Sequence, residues 1–220
     1  MKNMMQRFLS AADRNKIEAC VREAESRTRG EIVVMVAPAS YHYPVAGLLA
    51  TTAFTLPVAV ALTPFLGGFL WTGPFNLWVF LAVMIPLFVA FHEAVKRTPI
   101  LKRWFVHAKE MEEEVREAAH NQFYSKGLYR TAEQTGVLIY ISVFERRVWV
   151  LGDRGIDAKI PEGQWQAAAA LIVQAIQEGR PAEGICRAVT EVGRILQEKF
   201  PVGTDNPDEL KNLIIEDESA

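Results

Sequence analysis

Between Ile32 and His92 the sequence contains no lysine, arginine, aspartate or glutamate. A gap of that length excludes an ordinary solvated surface for the stretch, because water-facing segments carry charge. Cysteine is almost as scarce. Cys20 and Cys186 lie far apart and have no metal-type spacing. Each falls in a helical pattern, so both are expected to be free, small apolar residues rather than a disulfide pair. An excess of positive charge is missing too: 24 basic residues against 26 acidic ones leave a net charge of −2. That balance provides no electrostatic footprint for nucleic acid. No DxDxT, Cys-x5-Arg or His-rich phosphatase pattern occurs. Gly152-x-x-Gly155 lacks the glycine-rich turn into a helix that cradles a nucleotide phosphate. His42 and His92 border the uncharged block, and His107 and His120 follow it on a helical pattern; surface or interface roles are expected for all four.

The uncharged block holds two apolar runs, about 45–65 and 75–91, separated by Leu66-Gly67-Gly68-Phe69-Leu70-Trp71-Thr72-Gly73-Pro74. A spanning helix needs roughly 17–25 apolar residues, so both runs qualify and the glycine-rich bend reads as the turn between them. Pro57, Pro64 and Pro86 are tolerated in spanning helices, and Tyr41, Tyr43, Trp71 and Trp78 fall near the run ends, where amphipathic rings favour the interface. Small residues such as Gly47, Ala50, Ala53 and Ala61 permit close helix packing. No ionisable residue lies within the runs, which argues against a substrate path. Two crossings put both flanks on one side. Arg27, Arg29, Lys96, Arg97, Lys102 and Arg103 crowd that side, so the soluble domain and both termini are expected to be cytoplasmic.

Outside the block, Ser10 and Asp13 open a helix with a capping-box variant, and Ile17, Cys20, Val21 and Ala24 form its apolar stripe up to Gly30. Glu31 to Ala37 is a strand by its β-branched content. Leu101 to Lys126 reads as one long helix closed by Gly127. Gly136 to Val143 and Arg147 to Leu151 are two strands joined by a solvated Phe144-Glu145-Arg146 tip. Gln164 to Glu178 and Pro181 to Phe200 are two further helices, the first so apolar that it should be covered on most sides. Residues 201–220 form an acidic tail, loose or docked through Leu210, Leu213, Ile214 and Ile215 as a short helix. Strands separated by helices predict an α/β (α+β) domain, a central sheet flanked by helices, with a two-helix transmembrane hairpin inserted after the first strand. The expected organisation is therefore 8–40 and 101–200 for the two parts of the domain, 45–91 for the hairpin and 201–220 for the tail.

Thr28-Arg29-Gly30-Glu31-Ile32-Val33-Val34, the Gly127 helix end, Thr135 to Ser142, Glu145-Arg146-Arg147-Val148 and Gly155-Ile156-Asp157 together resemble the TPM domain family, over roughly 8–200 without the hairpin. The family takes its name from thylakoid, photosystem-repair and receptor-modulating members. The resemblance implies a sheet flanked by helices. It also implies functions from acid phosphatase to membrane-complex maintenance and receptor regulation, with divalent cations bound by some members. The family's loop-tip acids correspond to Glu31, Asp157 and Glu162. This sequence departs from the pattern at Thr135, where an amide is usual, and in the extra pair Asp153-Arg154.

Glu31, Asp153, Asp157 and Glu162 are accordingly the candidate ligands for Ca2+ or Mg2+, which take several oxygen ligands. The competing expectation is structural: Asp157 caps a turn, Asp153 pairs with Arg154 or Arg147, and Glu31 pairs with Arg29. No complete catalytic constellation is legible. The expected function is a membrane-anchored interaction or regulatory protein that supports a membrane complex, with the bilayer and a membrane protein or second copy as partners. The alternative is a weak metal-dependent phosphatase using Asp157, Glu162 and Glu31.

Overall fold

The computed structural model describes residues 5, 6, 8–71, 73, 76–131, 133–202 and 210–216, with residue 162 described in its backbone only. The chain divides into two compact units: Met1–Tyr41 with Glu112–Ala220, and His42–Met111.

In the first unit, helix α1 (Ala11–Glu25) starts as the capping box requires. The Asp13 amide donates to Ser10 Oγ, and the Asp13 carboxylate accepts from the Ser10 amide. The helix ends at Glu25, not at Gly30. Gly30 is needed for space instead, because a Cβ there would come within 2.9 Å of Leu196. Strand β1 (Glu31–Ala37) is buried along its whole length and pairs in parallel with β2 (Gly136–Ser142). β2 runs antiparallel to β3 (Arg147–Gly152), as a hairpin predicts. Such burial needs cover on both faces, and the period-2 alternation supplies it. Ile32, Val34, Val36, Val137, Ile139 and Ile141 join one core cluster, with side chains of α1, α7 (Trp165–Gln177) and α8 (Pro181–Lys199). Val33, Met35, Ala37, Leu138 and Tyr140 join the other, with Val115, Ala119 and Phe123. The protein is thus a mixed α/β fold whose four-stranded sheet, in the order β3-β2-β1-β4 with β4 at Leu213–Ile215, is flanked by helices.

The fourth strand departs from expectation. Leu213–Ile215 (β4) pairs in parallel with Val34 to Val36 of β1, where the sequence suggests a loose tail or a short helix. Asn212 locks it in place: its carbonyl accepts from the Val34 amide, and its Nδ2 donates to the buried Glu25, whose other oxygen accepts from the Ile32 amide. The rest of the tail, 203–209 and 217–220, lies outside the described residues.

Three more expectations are corrected. Cys20 and Cys186 are not free: they form a disulfide with Cα atoms 5.6 Å apart, because α1 and α8 pack side by side on one face of the sheet. Helix α7 is covered on one side only. Trp165, Ala168, Ile172 and Ala175 are buried, whereas Ala167 and Ala170 face water, where alanine exposes little apolar area. The predicted helix from Leu101 to Lys126 is two helices, α4 (Pro99–Arg103) and α5 (Ala108–Ser125). The aromatic and β-branched run Trp104-Phe105-Val106 is a poor helix former and separates them; Trp104 is 74% exposed.

The second unit contains two apolar helices that follow the first strand, α2 (Pro44–Phe69) and α3 (Leu77–Arg97). Both are long and apolar enough to cross a membrane. At 1.5 Å per residue they span about 39 and 32 Å, against a hydrocarbon core of about 30 Å. Helix α2 continues through Gly67-Gly68, which the sequence suggests as a break; Thr72, Pro74 and Phe75 of the bend lie outside the described residues. Ala46, Ala50, Thr51, Thr55, Ala59 and Thr63 form the buried side of α2, which packs on α3. Such small residues bring helices close. Thr51, Thr55 and Thr63 donate their hydroxyls to carbonyls four residues back, so the helix satisfies them itself. Leu48, Leu49, Leu56, Val60, Phe65, Phe69, Ile85 and Val89 point outward.

Candidate functional site

Of the carboxylates singled out by sequence, Glu31 and Asp153 lie at one end of the sheet. Glu31 opens β1 in register with Gly136, the first residue of β2, and is buried. The Asp153 amide donates to the Gly136 carbonyl at 2.8 Å, so Asp153 and Glu31 both flank that glycine. Asp153 then caps the short helix α6 (Arg154–Asp157). Its Oδ1 accepts from the Arg154 amide at 2.7 Å, and its carbonyl accepts from Ile156 and Asp157 at 2.9 Å each. Asp157 is exposed and turns back over Gly152; a Cβ built on Gly152 would lie 3.0 Å from its Oδ1. Glu162 begins a 3-10 turn, Glu162–Gln164, and its side chain lies outside the described atoms.

The cap expected of Asp157 is supplied at the start of α6 by Asp153, for which a pair with Arg154 or Arg147 is the expectation; Arg147 pairs with Glu112 at 3.2 Å and Arg29 with Glu133 at 2.7 Å. One observation points to a ligand: Asp153 Oδ2 is buried and accepts no hydrogen bond among the described residues. A buried carboxylate oxygen left bare is costly unless something else reaches it. Against that, no group of three or more His, Cys, Asp or Glu gathers as a metal cluster among the described residues. A hard cation takes six to eight oxygens, and the described residues do not by themselves supply that shell.

At the opposite end of β1 and β2 lies a second polar cluster. Glu145, expected at a solvated hairpin tip, is 1% exposed. Its Oε1 accepts from the Ser40 amide at 3.0 Å, and its Oε2 accepts from the Ser142 hydroxyl. Arg146 alone keeps the exposed tip position, at φ 53°. Sequence reasoning misses this because a charged pair between strands reads as solvent-facing. The only early signal is that Ser142 precedes Glu145 at a spacing that lets the hydroxyl reach it. Tyr140 lies in the same cluster, its hydroxyl 3.4 Å from Ser40 Oγ. Burial pushes its phenol up to about 12 from an ordinary value near 10. The fold therefore favours the neutral phenol, and this contribution is full below pH 10 and lost as pH rises through 12. Wild type should lose about 2 kcal/mol more than Tyr140→Phe over that window in paired denaturant titrations. Identical pH profiles would refute the assignment.

The histidines lie elsewhere: His92 Nδ1 is 3.4 Å from Thr51 Oγ1, and His120 Nδ1 is 2.8 Å from the Arg116 carbonyl. A polar groove between α1 and α8 is lined by Cys20, Glu23, Arg27, Thr190, Glu191 and Arg194.

With this geometry in place, comparison with known proteins gives two findings. Residues 101–195 match the family model described as the TPM domain. The stretch from Thr28 to Val34, which also resembles that family, lies outside the matched range. Among solved structures, the chain is similar to the NMR structure of the BA42 protein from the psychrophilic bacterium Bizionia argentinensis, at 19% identity and a TM-score of 0.58. The alignment covers 95% of this chain and 96% of that one, and establishes a shared fold. No curated protein matches the chain.

Proposed function

With the TPM domain of residues 101–195 as the premise, we propose that this chain is a membrane-anchored interaction or regulatory protein that supports the assembly or upkeep of a membrane protein complex. The observation that carries this reading is the outward apolar surface of α2 and α3. Large side chains such as Phe65, Phe69, Leu77 and Trp78 are between 64% and 78% exposed, which water does not tolerate over two whole helices. The hairpin crosses the bilayer twice and tethers the sheet unit to it. The partner is another membrane protein or a second copy, since Ala53 and Ala61 of α2 stay exposed among the outward apolar side chains and let another helix approach. The four cations at the end of α3 and in α4 favour a cytoplasmic position for the sheet unit and both termini.

Alkaline carbonate extraction tests the anchor: the full chain should stay in the membrane pellet, and release into the supernatant would refute spanning. Cross-linking in native membranes followed by mass spectrometry should recover one recurrent membrane-protein partner or a homodimer. A chain that cross-links to neither contradicts the interaction role.

A weak metal-dependent phosphatase is the second reading, favoured by the buried Oδ2 of Asp153, which accepts no hydrogen bond among the described residues. Ca2+ or Mg2+ would draw on Asp153, Asp157, Glu31 and Glu162. Turnover of a generic phosphoester that requires metal and disappears in Asp157→Ala would establish this reading. Equal background rates in the two proteins, together with no heat on calorimetric titration of either ion, would dismiss it.

A further inference from the structure

The end of the second apolar helix and the short segment behind it concentrate positive charge. Within the hairpin unit, α3 ends in Lys96 and Arg97, Pro99 starts a new turn, and α4 brings Lys102 and Arg103. Glu93 is the one acid among them, 3.6 Å from Lys96 and 3.9 Å from Arg97. Four bases against one acid leave a local positive excess in a chain whose net charge is −2. Exposed apolar side chains lie between and beside these paired bases: Ile100 is 60% exposed and Trp104 74%. An aromatic or aliphatic anchor beside cations is the composition of a segment lying in the headgroup layer, where indole favours the interface and ammonium or guanidinium groups meet phosphates. Lys102 Nζ also donates to the His42 carbonyl, just before α2, so this segment is tied to the entry of the hairpin as well as to its exit.

We infer that Lys96–Trp104 is a docking surface for anionic phospholipid headgroups, so that the hairpin selects its surrounding lipid as well as crossing it. The inference rests on the membrane-spanning reading above. Charge complementarity commits it to phosphate-bearing anionic lipid. Each cation near an anionic surface contributes enough to change lipid occupancy about fivefold, an effect that salt screens.

The test uses the full chain in nanodiscs of phosphatidylcholine alone or of phosphatidylcholine mixed with phosphatidylglycerol, with native mass spectrometry of the lipid retained after release. Wild type should retain phosphatidylglycerol over phosphatidylcholine by at least about fivefold. The variant with Lys96, Arg97, Lys102 and Arg103 all changed to Gln should lose that preference while keeping its helical circular dichroism. A second variant, Arg187→Gln with Lys199→Gln in the sheet unit, should keep it. Equal retention of the two lipids by wild type, or enrichment that survives the fourfold neutralisation, overturns the proposal and leaves the anchor standing. A chain that does not enter nanodiscs at all refutes the spanning reading, and the lipid proposal with it.

Discussion

Replacing Cys20 and Cys186 by alanine should lower the stability of the sheet unit by about 3–5 kcal/mol, among the largest effects expected from so small a change. The bond joins residues 166 apart in sequence, and closing so long a loop removes much of the conformational freedom of the unfolded chain. The hairpin lies inside that loop. If its ends stay together when the sheet unit unfolds, the effective loop shortens, but each halving changes the closure term by only about 0.6 kcal/mol. The effect therefore survives in detergent or bilayer. Denaturant midpoints of wild type with and without reductant, beside the double variant, measure it. Coincident midpoints would show that the bond adds nothing.

The same pair of cysteines tests where the unit resides. Disulfides persist in oxidising compartments and are rare in the cytosol, whereas the cations behind α3 favour the cytoplasmic side. The two arguments pull in opposite directions. A cytoplasmic sheet unit requires that Cys20 and Cys186 be thiols in growing cells and react with a permeant alkylating reagent without prior reduction. Protection until a reductant is added would place the unit across the membrane.

Most of the fold is legible in the sequence because its elements are local. The β-branched run from Ile32 to Val36, the Ser10–Asp13 cap and the charge-free block each announce a structure within a few residues of themselves. What escapes is long-range. Leu213–Ile215 is too short to carry a strand pattern, and it becomes one only because β1 offers an unpaired edge and Glu25 a carboxylate for Asn212. Cys20 meets Cys186 only because two helices separated by the whole hairpin lie side by side. Glu145 looks solvent-facing until Ser40 and Ser142 close over it. At the candidate site Glu31 and Asp153 both flank Gly136, but spacing cannot tell a cap from a ligand. That distinction depends on where the second oxygen of Asp153 points.

Gly155→Ala bears on that distinction, and it should destabilise the sheet unit by about 2–3 kcal/mol. A glycine in the Gly152–Asp157 turn could serve either of two ends. It could leave backbone amides open to a phosphate, or it could make room for neighbouring chain. Gly155 is not among the glycines with positive φ, so backbone freedom is not what the position requires. Space is what it requires. A Cβ there would sit 2.6 Å from the Gln134 carbonyl oxygen and 3.0 Å from that of Glu133, and backbone cannot swing aside as a side chain can. Gly152 is equally tight, 2.6 Å from Ile156 Cγ2. Gly163, nearby in sequence, has nothing within 4 Å among the described residues and provides the control: Gly163→Ala should leave stability within about 0.5 kcal/mol of wild type. Thermal or urea unfolding of both variants separates the two roles. A turn built as a packed corner loses stability at Gly155 and not at Gly163. Unchanged stability in Gly155→Ala, coupled with lost binding of inorganic phosphate, would instead mark the turn as an anion cradle. The packing distances favour the corner, with Asp153 as its cap.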